Sequence, residues 1–263
     1  MWDGQYAFEK SKIIQGDCLE KMKLIPDGSV DMILADLPYG TTACKWDSII
    51  PLDLLWKEYE RIVKENGVIC LTASQPFTTK LIASNYGMFK YEFIWNKGKS
   101  SNFMLAKKQI LKMHEQILVF YRKQPFFNPP KIKRCEKDKR PANVNNIKVV
   151  EVTGQKRIVV ECKSNEKLEG SVFELRDREY GLHPTQKPTR LFEKMIKTYT
   201  NEGDIVLDNV AGSGTTGEAC INLNRDFILI EKEPNYYEVI KERVGKIFKN
   251  YGLDLQSLLN EQM

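Results

Sequence analysis

A chain of 263 residues with 42% apolar and 29% charged side chains has the composition of an ordinary globular protein, with room for one large α/β domain carrying an insertion or for two modest domains. Its 40 basic and 35 acidic residues give a formal charge of +5, which permits a polyanionic partner without requiring one. The six cysteines form no Cys-x-x-Cys, only two histidines accompany them, and no apolar run nears membrane-spanning length; a zinc site, a disulfide framework, a membrane protein and an exported one are set aside, and a reducing cytoplasm is expected.

Taken in order, Lys12 to Gln15 reads as a short strand ended by Gly16-Asp17, and Cys18, Leu19, Met22 and Ile25 follow at helical spacing. Asp17 therefore stands at a strand end, either as a helix N-cap or as a ligand group. Ser29 to Ala35 is the next strand and delivers Asp36 to its C-terminal end. Residues 40–51 have no clear period and read as a loop. Leu52 to Lys64 has helical spacing, with Asn66-Gly67 as its close. Val68 to Thr72 is a strand, Pro76 to Asn85 a helix, and Phe89 to Trp95 and Gln116 to Tyr121 are strands. Strand and helix in alternation imply a doubly wound, mostly parallel sheet, with its last two strands as candidates for antiparallel pairing.

Between Lys97 and Met113 the composition turns basic, with Lys97, Lys99, Lys107, Lys108 and Lys112. From Gln124 to Leu182 the alternation is lost: Pro125, Pro129, Pro130 and Pro141 interrupt it, Lys131 to Arg140 is densely charged, and Ile147 to Val152 with Arg157 to Cys162 suggest a hairpin around Thr153-Gly154. Such an insertion is either simply solvated or supplies contacts to phosphates and base edges. Regular structure resumes after His183-Pro184-Thr185-Gln186-Lys187-Pro188 with a helix carrying Leu191, Met195, Ile196 and Tyr199. Asp204 to Asp208 is a strand, and the glycine-rich turn Ala211 to Gly217 leads to a helix over Glu218 to Leu223. Phe227 to Ile230 is a strand ending at Glu231, and a helix covers Tyr236 to Lys249.

Two stretches carry chemistry. Asp36-Leu37-Pro38-Tyr39 puts an acceptor, a prolyl turn and an aromatic ring at a strand's C-terminal end, where open α/β sheets bind ligands. An amino group on a base is a poor nucleophile because its lone pair is delocalised. The Asp36 carboxylate and the Leu37 carbonyl could take its two hydrogens and localise that pair, while Tyr39 stacks on the base. Gly212, Gly214 and Gly217 formally make a dinucleotide fingerprint, with Glu231 about 20 positions on. A dehydrogenase is the rival reading. It leaves the chain short of a strand after Glu231 and Asp36 to Tyr39 without a purpose.

The tetrapeptide resembles the Asp-Pro-Pro-Tyr motif of DNA amino methyltransferases, with Leu37 in place of a proline. The hexapeptide His183 to Pro188 is similar to a segment of the same family without departures, and Leu207 to Thr216 resembles its Asp-Pro-Phe-x-Gly-Ser-Gly-Thr-Thr, with Asn209 and Val210 substituted. The order of the pieces is similar to that of the permuted, beta class. The resemblance implies a class I, Rossmann-like, circularly permuted fold with a seven-stranded mostly parallel sheet, divided into a catalytic part (1–122), a target-recognition insertion (123–182) and a cofactor-binding part (183–263). It implies S-adenosylmethionine as cofactor and DNA as substrate, and leaves a homodimer and a cognate restriction enzyme open as further partners. Asp36, Leu37, Pro38 and Tyr39 would be catalytic. Asp17, Cys18, Asp36, Thr185, Gln186, Lys187, Asp208, Asn209, Ala211, Gly212, Ser213, Gly214, Thr215, Thr216 and Glu231 would hold the cofactor. Within this set Thr185 to Lys187 would line the methionine end, Glu231 would take the ribose hydroxyls and Asp17 the adenine amino group. Aspartate at the first motif position favours N6 of adenine. N4 of cytosine, an RNA base, a protein glutamine, or a cofactor-less nucleic-acid-binding subunit remain as alternatives.

Overall fold

A computed structural model describes residues 8–40, 47–100, 103–133, 151–152, 155–156, 166–175 and 186–259. The chain divides into two compact units, Met1–Asn128 with Val172–Met263, and Pro129–Ser171. The first contains the strands β1 (Lys12–Gln15), β2 (Val30–Ala35), β3 (Val63–Ala73), β4 (Phe89–Asn96) and β5 (His114–Phe120), then β10 (Val172–Glu174), β11 (Ile205–Asp208) and β12 (Asp226–Glu231). In the second, β6 (Lys131–Lys133) pairs with β9 (Glu166–Leu168), and β7 (Glu151–Val152) pairs antiparallel with β8 (Gln155–Lys156), Glu151 opposite Lys156. The rest of the hairpin expected around Thr153-Gly154 and the charged run beyond Lys133 lie outside the described residues.

The sheet order is β1-β12-β11-β2-β3-β5-β4-β10. It has eight strands rather than the expected seven, because Val172–Glu174 adds to the edge in parallel with β4; three residues within a stretch of lost alternation leave no period to read. Only β5 runs against the others, pairing antiparallel with both β3 and β4. The N-terminal strand sits beside the C-terminal one, Gln15 against Glu231, and Leu207 of β11 lies beside Ile33 of β2. Parts of the chain far apart in sequence thus share one sheet.

Alternating side chains of the central strands feed two cores, as strand geometry requires. Met32 and Leu34 face the cluster made with Leu191 and Met195 of α4 (Thr189–Tyr199), Ala219 and Cys220 of α5 (Thr215–Ile221), and Ile240 and Val244 of α6 (Pro234–Tyr251). Ile33 and Ala35 face the other cluster, with Met22 of α1 (Cys18–Met22), Leu55 and Tyr59 of α2 (Leu52–Ile62), and Phe77 and Leu81 of α3 (Phe77–Ser84). Burial on both faces explains why β2, β11 and β12 read as nearly continuous apolar runs.

Two helix boundaries differ from expectation. Asn66-Gly67 does not close α2; the helix ends at Ile62 and both residues lie inside β3, where the register against β2 shifts between Val30 and Met32. Glycine is needed there for close approach, since a Cβ on Gly67 would meet the Asp31 carbonyl oxygen at 2.9 Å. Helix α5 begins at Thr215, immediately after the glycine turn, rather than at Glu218. No described helix is long and apolar enough to cross a membrane.

Candidate active site

The C-terminal ends of β1, β12, β11 and β2 lie side by side and present Asp17, Glu231, Asp208 and Asp36 in that order. Strand ends from early and late in the chain thus share one edge of the sheet, as expected from the permuted order.

Asp36 follows the last residue of β2 and is held by three donors. Lys187 Nζ donates to its Oδ2 at 2.5 Å, Thr72 Oγ1 of β3 donates to its Oδ1, and the Tyr39 hydroxyl lies 2.9 Å from both that oxygen and Thr72 Oγ1. A carboxylate offers about four acceptor positions. At least one is therefore left for a further donor. Leu37 is buried, so the turn it forms is anchored by its side chain while its main chain follows the strand end. The Tyr39 ring stacks on Phe77 with centroids 5.4 Å apart and planes at 27°, which fixes the ring from one side.

Behind Asp36 runs a chain of alternating charge. Lys187 Nζ also lies 3.4 Å from Glu115 Oε2, and Lys97 Nζ donates to Glu115 Oε1 at 2.8 Å. Lys187 is buried, and although burial opposes its charge, Asp36 and Glu115 together raise its pKa above the usual lysine value. Burial likewise works against the Glu115 charge, yet Lys187 and Lys97 hold its pKa below the usual carboxylate value. The charged forms win because every member has an opposite neighbour. Lys187 was expected at the methionine end of a cofactor; the structure brings it to Asp36, drawn there by two carboxylates. Gln186 is half-buried beside it in the chain, and Thr185 lies outside the described residues.

The other end is built from backbone. Asp208 is buried, accepts from Thr216 Oγ1 and from the Val210 N–H at 3.1 Å, and is pushed up to about 7, mainly by burial, with Asp36 and Glu231 adding repulsion. Glu231 accepts from the Gly212 N–H at 2.7 Å and the Glu233 N–H at 2.8 Å, and burial raises its pKa too. Gly212 and Gly214 have φ of 53° and 78°, the left-handed region that glycine enters without a Cβ penalty. Gly217 lets α5 lie against β12, for a Cβ there would meet Leu229 Cδ1 at 2.7 Å. Ala211 is nearly enclosed, and its N–H donates to the Ile230 carbonyl.

Arg243 of α6 secures this turn from behind. It donates to Glu218 at 2.5 Å, to the Ser213 carbonyl at 3.0 Å, to Thr215 Oγ1 at 3.2 Å and to Thr189 Oγ1 at 3.2 Å. The hydroxyls of Thr215 and Thr216 are thus engaged within the protein. Asn209 accepts from the Tyr59 hydroxyl of α2 at 2.6 Å, so the residue standing in the place of the family's proline braces the turn to the opposite helix layer. Asp17 caps α1 through the Leu19 N–H at 3.0 Å and pairs with Lys232 at 3.2 Å; Cys18 belongs to the core by its side chain.

Sequence reasoning missed Thr72, Glu115, Lys97, Phe77, Tyr59 and Arg243. Of these only Arg243 left a signal: it falls three residues after Ile240 on the buried stripe of α6, where a charge needs partners.

The family model described as "DNA methylase" matches residues 30–242. The chain is similar to DNA adenine methyltransferase YhdJ of Escherichia coli (strain K12), 31% identical over 260 residues that cover 89% of this chain and 83% of that protein. It is also similar to Type II methyltransferase M.HinfI of Haemophilus influenzae, 30% identical over 272 residues covering 90% and 69%. Among solved structures, the M1.HpyAVI-SAM complex superposes with a TM-score of 0.60 at 26% identity, covering 89% of this chain and 98% of that one.

Proposed function

This chain belongs to the DNA methylase family, and on that footing we propose that it transfers a methyl group from S-adenosylmethionine to the N6 amino group of adenine in DNA. The observation that carries this reading is the Asp36 carboxylate: three donors hold it at the end of β2, an acceptor position is left over, and the Leu37 carbonyl comes next in the chain. Aspartate at that position, and a relative named as a DNA adenine methyltransferase, favour adenine over cytosine.

S-adenosylmethionine, when bound, supplies an electrophilic methyl group from its sulfonium. The residues present fit it. Gly212 and Gly214 let the backbone come close to a ligand, and Glu231 and Asp208 are enclosed carboxylates with spare acceptor positions for hydroxyl or ammonium groups. Asp17, half-buried beyond the end of β1, takes an amino group with the oxygen that now pairs with Lys232. Ser213 and Ala211 contribute main chain rather than side chain to that wall, and Cys18 does the same beside Asp17.

Asp36 and the Leu37 carbonyl each accept one hydrogen of the target amino group and localise its lone pair. Tyr39, backed by Phe77, stacks on a base turned out of the helix, a contact worth roughly 1–3 kcal/mol. Pro38 stiffens the turn between them. Lys187 and Thr72 keep the Asp36 carboxylate from rotating, so that the acceptors are set before the base arrives and the gain from orientation is kept. The surplus proton leaves through Asp36 or to solvent.

Residues 123–182 are the proposed target-recognition part, flanked by the catalytic and cofactor-binding parts, with Lys131 and Lys133 exposed on β6 for phosphates. The proposed compartment is the cytoplasm, in keeping with the free, buried Cys18, Cys70 and Cys220. A second copy of the chain and a cognate restriction enzyme are the partners to look for, by sedimentation and by co-purification. Transfer of tritium from labelled cofactor to DNA, RNA and protein, followed by separation of the modified nucleosides, tests the activity. N6-methyladenine in DNA supports the reading; N4-methylcytosine, label only in RNA or glutamine, or no calorimetric heat with S-adenosylmethionine each replaces it. Sequencing of modified bases in a host expressing the protein then gives the target site.

A further inference from the structure

The connection between β4 and β5 is built unlike any other described segment. Over residues 97–113 it carries five lysines and no acidic residue, and its crest exposes large apolar side chains: Phe103 at 76%, Met104 at 97% and Ile110 at 96%. Apolar side chains are not left on a strongly basic loop by any requirement of folding, since Phe103, Met104 and Ile110 bury little. The crest is nevertheless well formed, with the Ala106 N–H bonded to the Phe103 carbonyl at 3.1 Å and the Lys108 N–H to the Leu105 carbonyl at 2.8 Å.

Both feet of the loop are fastened to the catalytic cluster. At one, the Lys97 N–H meets the Met113 carbonyl at 2.9 Å while Lys97 Nζ holds Glu115, the partner of Lys187. At the other, Lys112 Nζ donates at 2.5 Å to Ser74 Oγ, two residues beyond the Thr72 that holds Asp36. The crest therefore rises from the rim of the base-accepting site.

We propose that residues 97–100 and 103–113 form a wedge for duplex DNA: Lys99, Lys107 and Lys108 take phosphates on the rim, and Met104 with Phe103 enters the base stack at the place the target base leaves. This rests on the reading that the substrate is DNA with its base turned out. Unstacking a duplex step costs a few kcal/mol, and an apolar side chain that refills the gap offsets it. The charge decides the occupant. An isologous contact with a second copy would set five lysines against five, whereas a polyanion meets them favourably.

The test uses the full-length protein and oligonucleotides containing the methylated site found by sequencing, in two forms: the target adenine paired, and the same adenine opposite an abasic position. Phe103 and Met104 are exposed, so the double variant Phe103→Ser, Met104→Ser keeps its fold. Turnover on the paired duplex is expected to fall at least about thirtyfold and to return to within about threefold of the wild type on the unpaired target. Lys107→Gln with Lys108→Gln lowers the salt slope of duplex binding by about 2. Equal loss on both substrates, no loss on either, or a change from dimer to monomer accompanying the loss overturns the wedge. Wild-type transfer to the paired duplex upholds the DNA reading whichever way the variant behaves, and its absence removes both.

Discussion

The two ends of the crevice hold their carboxylates by opposite means. Around Asp36 the partners are side chains, Lys187, Thr72 and Tyr39, and behind them Lys187 and Glu115 favour each other's charge. Around Asp208 and Glu231 the partners are backbone N–H groups and one hydroxyl, with no cation among the described contacts of either carboxylate, and burial raises both pKa values. The first arrangement is complete in itself and gives a fixed acceptor. The second is incomplete in charge and suits a ligand that brings a positive group, as S-adenosylmethionine does.

If that contrast is right, removing a charge should hurt at one end and help at the other. Lys187→Met leaves Asp36 and Glu115 facing each other half-buried without their shared cation, and should cost about 3–5 kcal/mol in urea unfolding; adding Glu115→Gln should recover part of it. A loss below 1 kcal/mol would mean that solvent, not the lysine, satisfies these groups.

Asp208→Asn should act the other way, with an advantage that builds from about pH 4 to 7 and is complete above neutral pH. A carboxyl with a folded pKa of about 7 and an unfolded one of about 3.9 contributes stability that is complete below pH 4 and lost as pH rises through 7. The wild type should therefore lose about 3 kcal/mol between pH 5 and 9 relative to the variant, nearly all of it below pH 8. Glu231 shifts in the same direction, so a smaller slope should persist in Asp208→Asn. Thermal midpoints of both proteins at pH 5, 7 and 9 decide this; parallel curves would place Asp208 in a wetter site than its burial indicates.

Arg243→Gln should loosen the glycine turn without touching the catalytic cluster. Calorimetric affinity for S-adenosylmethionine should fall about tenfold, the loss of roughly one charge-assisted hydrogen bond, while Lys187→Met leaves that affinity nearly unchanged. The smallest effect belongs to Asp17. As a cap it should cost about 1 kcal/mol on replacement by alanine and almost nothing by asparagine, which caps equally well. A stronger effect of Asp17→Asn on cofactor affinity than on stability would show the ligand role outweighing the cap.

The difference between the two ends also governs what the amino-acid sequence revealed. Asp36, Asp208 and Glu231 each end a strand, and glycine spacing marks the turn, so local pattern is enough to find them. The cluster behind Asp36 is not local. Glu115 meets Lys187 from 72 positions away, and Thr72 reaches Asp36 only because β3 pairs with β2. Nothing in the neighbourhood of Glu115, between His114 and Gln116 at a strand's start, distinguishes it from a solvated glutamate. Lys187 was found by motif, but its ties to Asp36 and Glu115 were out of reach for the same reason. The parallel sheet was legible from alternation and the adjacency of its first and last strands from the resemblance to the permuted class, but the edge strand Val172–Glu174 was not, being too short to show a period. The end of α2 was misplaced because Asn66-Gly67 is a helix stop in most contexts and a strand irregularity in this one.

The account depends most on Asp36 acting on the methyl acceptor rather than on the cofactor. Single-turnover transfer of labelled methyl groups to DNA by Asp36→Ala, with calorimetry of S-adenosylmethionine binding on the same preparation, tests it directly. Transfer should fall at least about a thousandfold while the dissociation constant stays within threefold of the wild type, and transfer within tenfold of the wild type would contradict it.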